Sequence, residues 1–207
     1  APHFWISEAP VITNVEIALN DSEHGFVTVS SNYSEIKSFY SKWLNSRIEK
    51  EKQYYALPTM NLIERNANSS HLLKKILYAN ILTFDRKIYS PEKALQLLNE
   101  AKQIASNIPL DDETKRELIY LITLSSGIVA FKLEAYQEAK ASFEEALNYK
   151  SSGISSIYYL ALTEKRLQNR KRAIELLGYV VEYDQIRFKY AFDVNSIQLF
   201  RYFLNNC

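Results

Sequence analysis

A 34-residue spacing of small and large apolar residues constrains the fold of this chain more than any other feature. In the stretch EAYQEAKASFEEALNY, residues 134–149, apolar side chains recur every three or four positions, which places them on one stripe of a helix. A shift of 34 residues pairs most of these positions with residues of similar size: Ala139 with Ala173, Phe143 with Leu177 and Leu147 with Val181. Ala146 falls on the larger Val180, and Gly127, in the preceding helix, falls on Ala161. Small residues on a buried stripe let another backbone approach closely, so the spacing predicts tightly stacked helical hairpins.

An earlier copy of the pattern lies 45 residues upstream, where Ala94, Leu98 and Ala101 repeat the small–large–small spacing of that stretch. The longer offset leaves room for an inserted segment, IPLDDETKREL. The sequence therefore predicts the same helical hairpin three times, at about 75–108, 120–153 and 154–187.

Start and stop signals along the chain place the helices. Ser90 is a good N-cap, and Pro91 occupies the favoured first position of a helix. The other predicted helices cover about 34–52, 70–89, 112–132, 135–149, 154–168, 170–183 and 188–205. Residues 11–30 differ, because alternating apolar residues on both sides of the turn segment NDSEHG predict a small β-hairpin. These patterns divide the chain into an N-terminal segment, 1–68, and a helical-repeat domain, 69–207.

The repeated positions resemble those of the tetratricopeptide repeat (TPR) family over about residues 75–187. The residues that carry the resemblance are Gly127, Tyr136, Ala139, Phe143, Ala146, Leu147, Leu160, Ala161, Ala173 and Leu177. The chain departs from the family at the inter-helix turns, where the frequent glycine is replaced by Glu134 and Gln168, and at Arg170, which replaces an aromatic residue. The resemblance implies a mostly α fold, a TPR-like α-α superhelix of about three hairpins with a β-hairpin and an extra helix at its N-terminus. The alternative is an unrelated helical bundle that uses alanine for close packing.

In the TPR family, the first helix of each hairpin lines a concave groove that usually binds a peptide or a helix of a partner protein. The groove positions that the resemblance implies here are largely apolar, beginning with Ala79 and Thr83 in the first hairpin. The expected partner-binding residues are Leu124, Ile128, Phe131, Tyr158 and Leu162, with Lys165 and Arg166 as a charged rim. The cluster of Lys, Arg and Asn with which some chaperone-binding members clamp a terminal carboxylate is missing.

Two apolar surfaces need a cover. Burying a few hundred Å² of the groove is worth several kcal/mol at about 25 cal/mol per Å², and either a helix of another protein or a terminal segment of this chain could supply it. The predicted C-terminal helix is apolar nearly all round. Its second side is expected to pack on a dimer partner, on the rest of a longer chain, on a binding protein or back onto this domain.

Composition restricts the partners and leaves the compartment open. A net charge of +1 gives no reason to expect nucleic acid, and no apolar run approaches the ~20 residues of a transmembrane segment. Cys207 is the single cysteine, so no internal disulfide is possible. The scarcity of cysteine and the start at Ala1 favour a periplasmic or cell-envelope location over the cytoplasm, and the end at RYFLNNC favours the N-terminal fragment of a longer exported protein.

No catalytic, metal-binding or cofactor-binding set can be placed on the sequence. The histidines are scattered without metal-ligand spacing, and no glycine-rich phosphate loop is present. The segment KRLQNRKR, residues 165–172, is a true cluster of five positive charges. It is either a solvated turn or a docking point for an acidic segment or an anionic surface.

The sequence therefore favours a non-enzymatic scaffold or adaptor without cofactors, which binds a helix or an extended segment of a partner protein through an apolar TPR-like groove. The alternative is a structural assembly subunit of a bacterial cell envelope, which forms homo- or hetero-oligomers through its aromatic C-terminal helix. The size of the protein in solution distinguishes a monomeric adaptor from such a subunit.

Overall fold

The computed structural model describes residues 38–39, 42–43, 54–58, 60–61, 72–85, 87–107 and 111–183, and the regular structure within these ranges is helical. Six longer helices follow one another: α1 (Leu72–Phe84), α2 (Pro91–Asn107), α3 (Asp112–Lys132), α4 (Tyr136–Tyr149), α5 (Ile154–Arg166) and α6 (Arg170–Tyr183). The prediction of a mostly α fold is confirmed. The predicted β-hairpin at 11–30, most of the predicted helix at 34–52 and the predicted C-terminal helix at 188–205 lie outside the described residues.

The helix boundaries agree with the sequence signals except at the end of α1. Helices α3 to α6 begin and end within two residues of the predicted positions, and α2 begins at Pro91. Helix α1 ends at Phe84 instead of continuing to residue 89, because the Asp85 side chain forms a competing turn. Its Oδ1 accepts a hydrogen bond from the backbone N–H of Lys87 at 3.0 Å, and its Oδ2 accepts one from Nε1 of the buried Trp43 at 3.0 Å. The second bond attaches residues 42–43 to the end of α1.

The six helices form three consecutive pairs. Helix α1 packs on α2, α3 on α4 and α5 on α6, and contacts of α2 with α3 and of α4 with α5 join each pair to the next. Helix α3 also contacts α1 and α5, so the first helices of the three pairs form one layer. Short connections make successive helices antiparallel. The alanines expected to permit close stacking are fully buried in this core: Ala94, Ala101, Ala139, Ala146 and Ala173.

Two inter-helix turns, 34 residues apart, share one backbone conformation. Glu134 and Gln168 have φ values of 61° and 64°, in the left-handed region. In the first turn, the N–H groups of Glu134 and Ala135 donate to the carbonyls of Phe131 and Ala130. The second turn repeats both bonds, from Gln168 to Lys165 and from Asn169 to Glu164. This pattern is a Schellman motif, in which glycine is the usual left-handed residue.

Because both left-handed positions carry side chains, we expect Glu134→Gly and Gln168→Gly to stabilise the protein. Removing the clash of Cβ in this conformation gains roughly 1–2 kcal/mol, and the greater freedom of glycine in the unfolded chain costs about 0.5–1 kcal/mol. Each substitution should therefore raise the free energy of unfolding by about 0.5–1 kcal/mol in urea titration, with an unchanged slope.

Glu138→Gly is the matched control, because Glu138 lies within the first turn of α4 and has no positive φ. It should lower the free energy of unfolding by about 1 kcal/mol. Destabilisation by all three substitutions would contradict the assignment of the two turns.

Candidate protein-interaction surface

The predicted groove residues of the first two hairpins, apart from Phe131, are part of the core. Leu124 and Ile128 are 0% and 1% exposed and belong to the main hydrophobic cluster. Ala79 and Thr83 are also buried, and the Thr83 hydroxyl donates a 2.6 Å hydrogen bond to the carbonyl of Ala79. In this conformation, Leu124 and Ile128 have no accessible area to offer a partner, so the accessible part of the predicted surface is narrower than the sequence implies.

The accessible part of the predicted set lies mainly on α5. Tyr158 and Leu162 are half-buried, and Lys165 and Arg166 in the last turn of the helix are exposed. Leu162 is four residues from Tyr158 and three and four residues from Lys165 and Arg166, so all four lie on one broad stripe of the helix. Phe131, at the end of α3, is also half-buried. The predicted residues that reach the surface therefore form a strip that begins with aromatic and aliphatic groups and ends with positive charge.

An aromatic cluster lies beneath the start of this strip. The Phe131 ring meets Tyr136 at 5.5 Å and Tyr159 at 6.3 Å between centroids, and Tyr159 stacks on Phe143 at 5.7 Å with an interplanar angle of 21°. Tyr158 contacts Tyr159 edge-on at 5.5 Å. Burial raises the pKa of Tyr158, and burial together with the neighbouring Tyr158 raises the pKa of Tyr159, so both phenols are neutral. Since α3, α4 and α5 all contribute rings, the cluster fixes the position of the strip.

A buried carboxylate at the end of α5 joins this helix to α4. The Glu164 side chain is 3% exposed; its Oε1 pairs with Nζ of Lys140 at 2.9 Å, and its Oε2 accepts a 2.6 Å bond from Nδ2 of Asn169. Burial acts to raise the pKa of Glu164, but the bonds from Lys140 and Asn169 outweigh it and hold this pKa below its ordinary value. Sequence reasoning missed these three residues, because nothing in their spacing indicates a pair between two helices.

The turn between α5 and α6 is strongly basic. We use the name basic turn for Lys165, Arg166, Arg170, Lys171 and Arg172, all of which are exposed. Helix α6 has no acidic residue in its first turn, whereas α2, α3 and α4 each have one or two. Lys165 and Arg166 belong both to the basic turn and to the strip on α5, so they connect the two features.

A surface cavity of about 500 Å³ lies at the opposite end of the helices. It is lined by Tyr149 and by side chains of both charges: Asp112, Glu113, Arg116, Glu117 and Lys150. Within the described ranges, no three His, Cys, Asp or Glu side chains are grouped so as to hold a metal ion. The cavity contains none of the predicted partner-binding residues.

Comparisons of the chain with models of known protein families, with curated protein sequences and with solved structures find no match. Among the helices that the structure describes, none is long and apolar enough to cross a membrane.

We expect Lys140→Met to lower the free energy of unfolding by about 1–2 kcal/mol at neutral pH, because it leaves the buried Glu164 carboxylate with one side-chain donor instead of two. Lys102→Met is the matched control. Lys102 pairs with Glu145 at 3.0 Å, but both side chains are about 40% exposed, and such a pair contributes less than about 1 kcal/mol. Urea titration of both variants measures the difference.

The effect of Lys140→Met should also depend on pH. Because the folded protein holds the pKa of Glu164 below its ordinary value, this carboxylate stabilises the fold above that ordinary value and loses its contribution as the pH falls through the lowered pKa. The difference between wild type and Lys140→Met should therefore shrink in acid. A difference that stays constant with pH, or that equals the effect of Lys102→Met, would contradict the assigned role of Glu164.

Proposed function

We propose that this chain is a non-enzymatic protein-interaction scaffold with a TPR-like arrangement of helical hairpins, and that it binds a segment of a partner protein along α5. The observation that carries the proposal is the strip of Tyr158, Leu162, Lys165 and Arg166, in which half-buried apolar groups lead to exposed positive charge on one helical stripe. Protein interfaces commonly combine such an apolar or aromatic centre with a charged rim.

The packing of the helices supports the proposal. The first helices of the three pairs form one layer, which is the arrangement that the TPR resemblance implies. The buried positions of α3 tie this layer together and leave the final pair as the accessible part of the predicted surface. Binding to a strip held by the aromatic cluster and by the Lys140–Glu164 pair requires little rearrangement, which favours affinity.

The test is site-specific photo-cross-linking in the native source. A photoreactive amino acid replaces Leu162 in the strip or Leu133, a leucine that is 37% exposed and lies outside it. We expect a specific adduct at position 162, none at position 133, and loss of the adduct when Arg166→Glu is added. Circular dichroism checks that each variant is folded.

Equal labelling at both positions, or an adduct that survives Arg166→Glu at full yield, would contradict the proposal. Mass spectrometry identifies the captured protein. If the captured protein is a second copy of this chain, the result supports an assembly subunit in place of an adaptor.

A further inference from the structure

The two Schellman turns provide an internal comparison, because they have the same backbone and very different charge. Residues 131–138 join α3 to α4 and residues 165–172 join α5 to α6, with the same left-handed position and the same two hydrogen bonds. Residues 131–138 hold one lysine and two glutamates, whereas residues 165–172 hold five basic residues and no acidic one. The backbone of this turn therefore forms without the positive charges.

The start of α6 differs in charge from the start of α4, although Arg172 also lies close enough to the buried Glu164 to help lower its pKa. Glu138 lies in the first turn of α4, where a negative charge complements the partial positive charge of a helix N-terminus. Arg172 occupies the equivalent position in α6, where a positive charge opposes it. Arg172 is 3.4 Å from Glu175, but both side chains are more than half exposed, so salt screens this pair.

The buried acid beneath the turn is already engaged. Both carboxylate oxygens of Glu164 have partners, Lys140 on one side and Asn169 on the other. Its charge therefore serves the contact between α4 and α5. The turn thus concentrates exposed positive charge that its backbone does not require, and such a patch attracts negative charge on a partner.

We propose that the basic turn binds the acidic side chains of a short segment of a partner protein, whose apolar residue packs on Tyr158 and Leu162. This inference rests on the proposed function and gives the partner its chemistry. Charge complementarity with the five basic residues selects carboxylates, and the guanidinium groups of arginine suit them because they donate two parallel hydrogen bonds.

The distribution of charge favours a short protein segment over a membrane or a nucleic acid. The chain as a whole has a net charge of +1, and five of its 25 basic side chains lie within residues 165–172. The remainder of the chain is therefore net negative. An extended anionic surface would be repelled beyond the turn, whereas a short acidic segment would contact the turn alone.

The test uses the whole chain and a double substitution taken from the chain itself. Lys171→Gln with Arg172→Glu gives α6 the residues found at the equivalent positions of α4, Gln137 and Glu138. The matched control is Lys115→Gln with Arg116→Glu in α3, which makes the same chemical change and the same change in net charge at another site. The probe is a fluorescein-labelled synthetic peptide of alternating glutamate and leucine, and its counterpart carries glutamine in place of glutamate.

Fluorescence anisotropy measures binding. We expect the glutamate peptide to bind, the glutamine peptide to bind at least about tenfold more weakly, and binding to weaken from low to physiological ionic strength. The substitutions at 171 and 172 should weaken binding of the glutamate peptide at least about tenfold, and those at 115 and 116 should leave this binding unchanged. Circular dichroism checks that both variants are folded.

Equal binding of the two peptides, or equal effects of the two double substitutions, would overturn the inference. Tighter binding to phosphatidylserine vesicles or to single-stranded DNA than to the glutamate peptide would overturn it in favour of those partners. If the peptide does not bind but the adduct at position 162 still forms, the scaffold proposal stands and the acidic partner is wrong. If neither occurs, both are wrong.

Discussion

The ring of Phe143 joins three helices, and the stacking of the hairpins depends on it. Phe143 belongs to α4, lies against Gly127 of α3 and stacks on Tyr159 of α5. A Cβ atom at Gly127 would lie 2.6 Å from Cε1 of the ring, so the ring fits there because Gly127 has no side chain. In the next hairpin, the equivalent pair is Ala161 and Leu177, both buried, where a larger first residue accompanies a smaller second one. The two hairpins thus fill the same space with different residues.

Although the two hairpins share this core packing, the residues on their surfaces differ. The two Schellman turns have the same hydrogen bonds, but the second turn carries the basic cluster that the first lacks. The Lys140–Glu164 pair and the aromatic cluster hold α5 against the preceding hairpin, so Leu162 and Arg166 are presented on a supported helix. A stack of helical hairpins can separate the residues that stabilise it from the residues that define what it binds. The proposed function follows from that separation.

The sequence predicts the helices well and the accessible surface poorly, for physical reasons. Helical periodicity locates α3 to α6, because it depends on local backbone geometry. The TPR resemblance identifies Glu134 and Gln168 as turn positions where glycine is frequent, and both are left-handed in the structure. The TPR resemblance implies that Leu124 lines a groove, but a repeat pattern does not show whether other parts of the chain cover a residue, and in the structure Leu124 is buried. The pairing of Glu164 with Lys140 depends on side chains distant in sequence, which no local pattern reveals. The end of α1 combines a local turn at Asp85 with a bond from the distant Trp43.

A double-mutant cycle on Gly127 and Phe143 tests the packing of the repeats most directly. Gly127→Ala should lower the free energy of unfolding by about 1–3 kcal/mol through overpacking, and Phe143→Leu by a similar amount through the cavity that it leaves. The double variant has the Ala–Leu pair of the next hairpin. Its free energy of unfolding should fall by at least about 1 kcal/mol less than the sum of the two single decreases. Gly178→Ala in α6 is the control, because a Cβ there meets no atom within 4 Å; it should stabilise by about 0.5–1 kcal/mol. If Gly127→Ala stabilises like Gly178→Ala and the cycle is additive, the Phe143 contact does not hold the hairpins together.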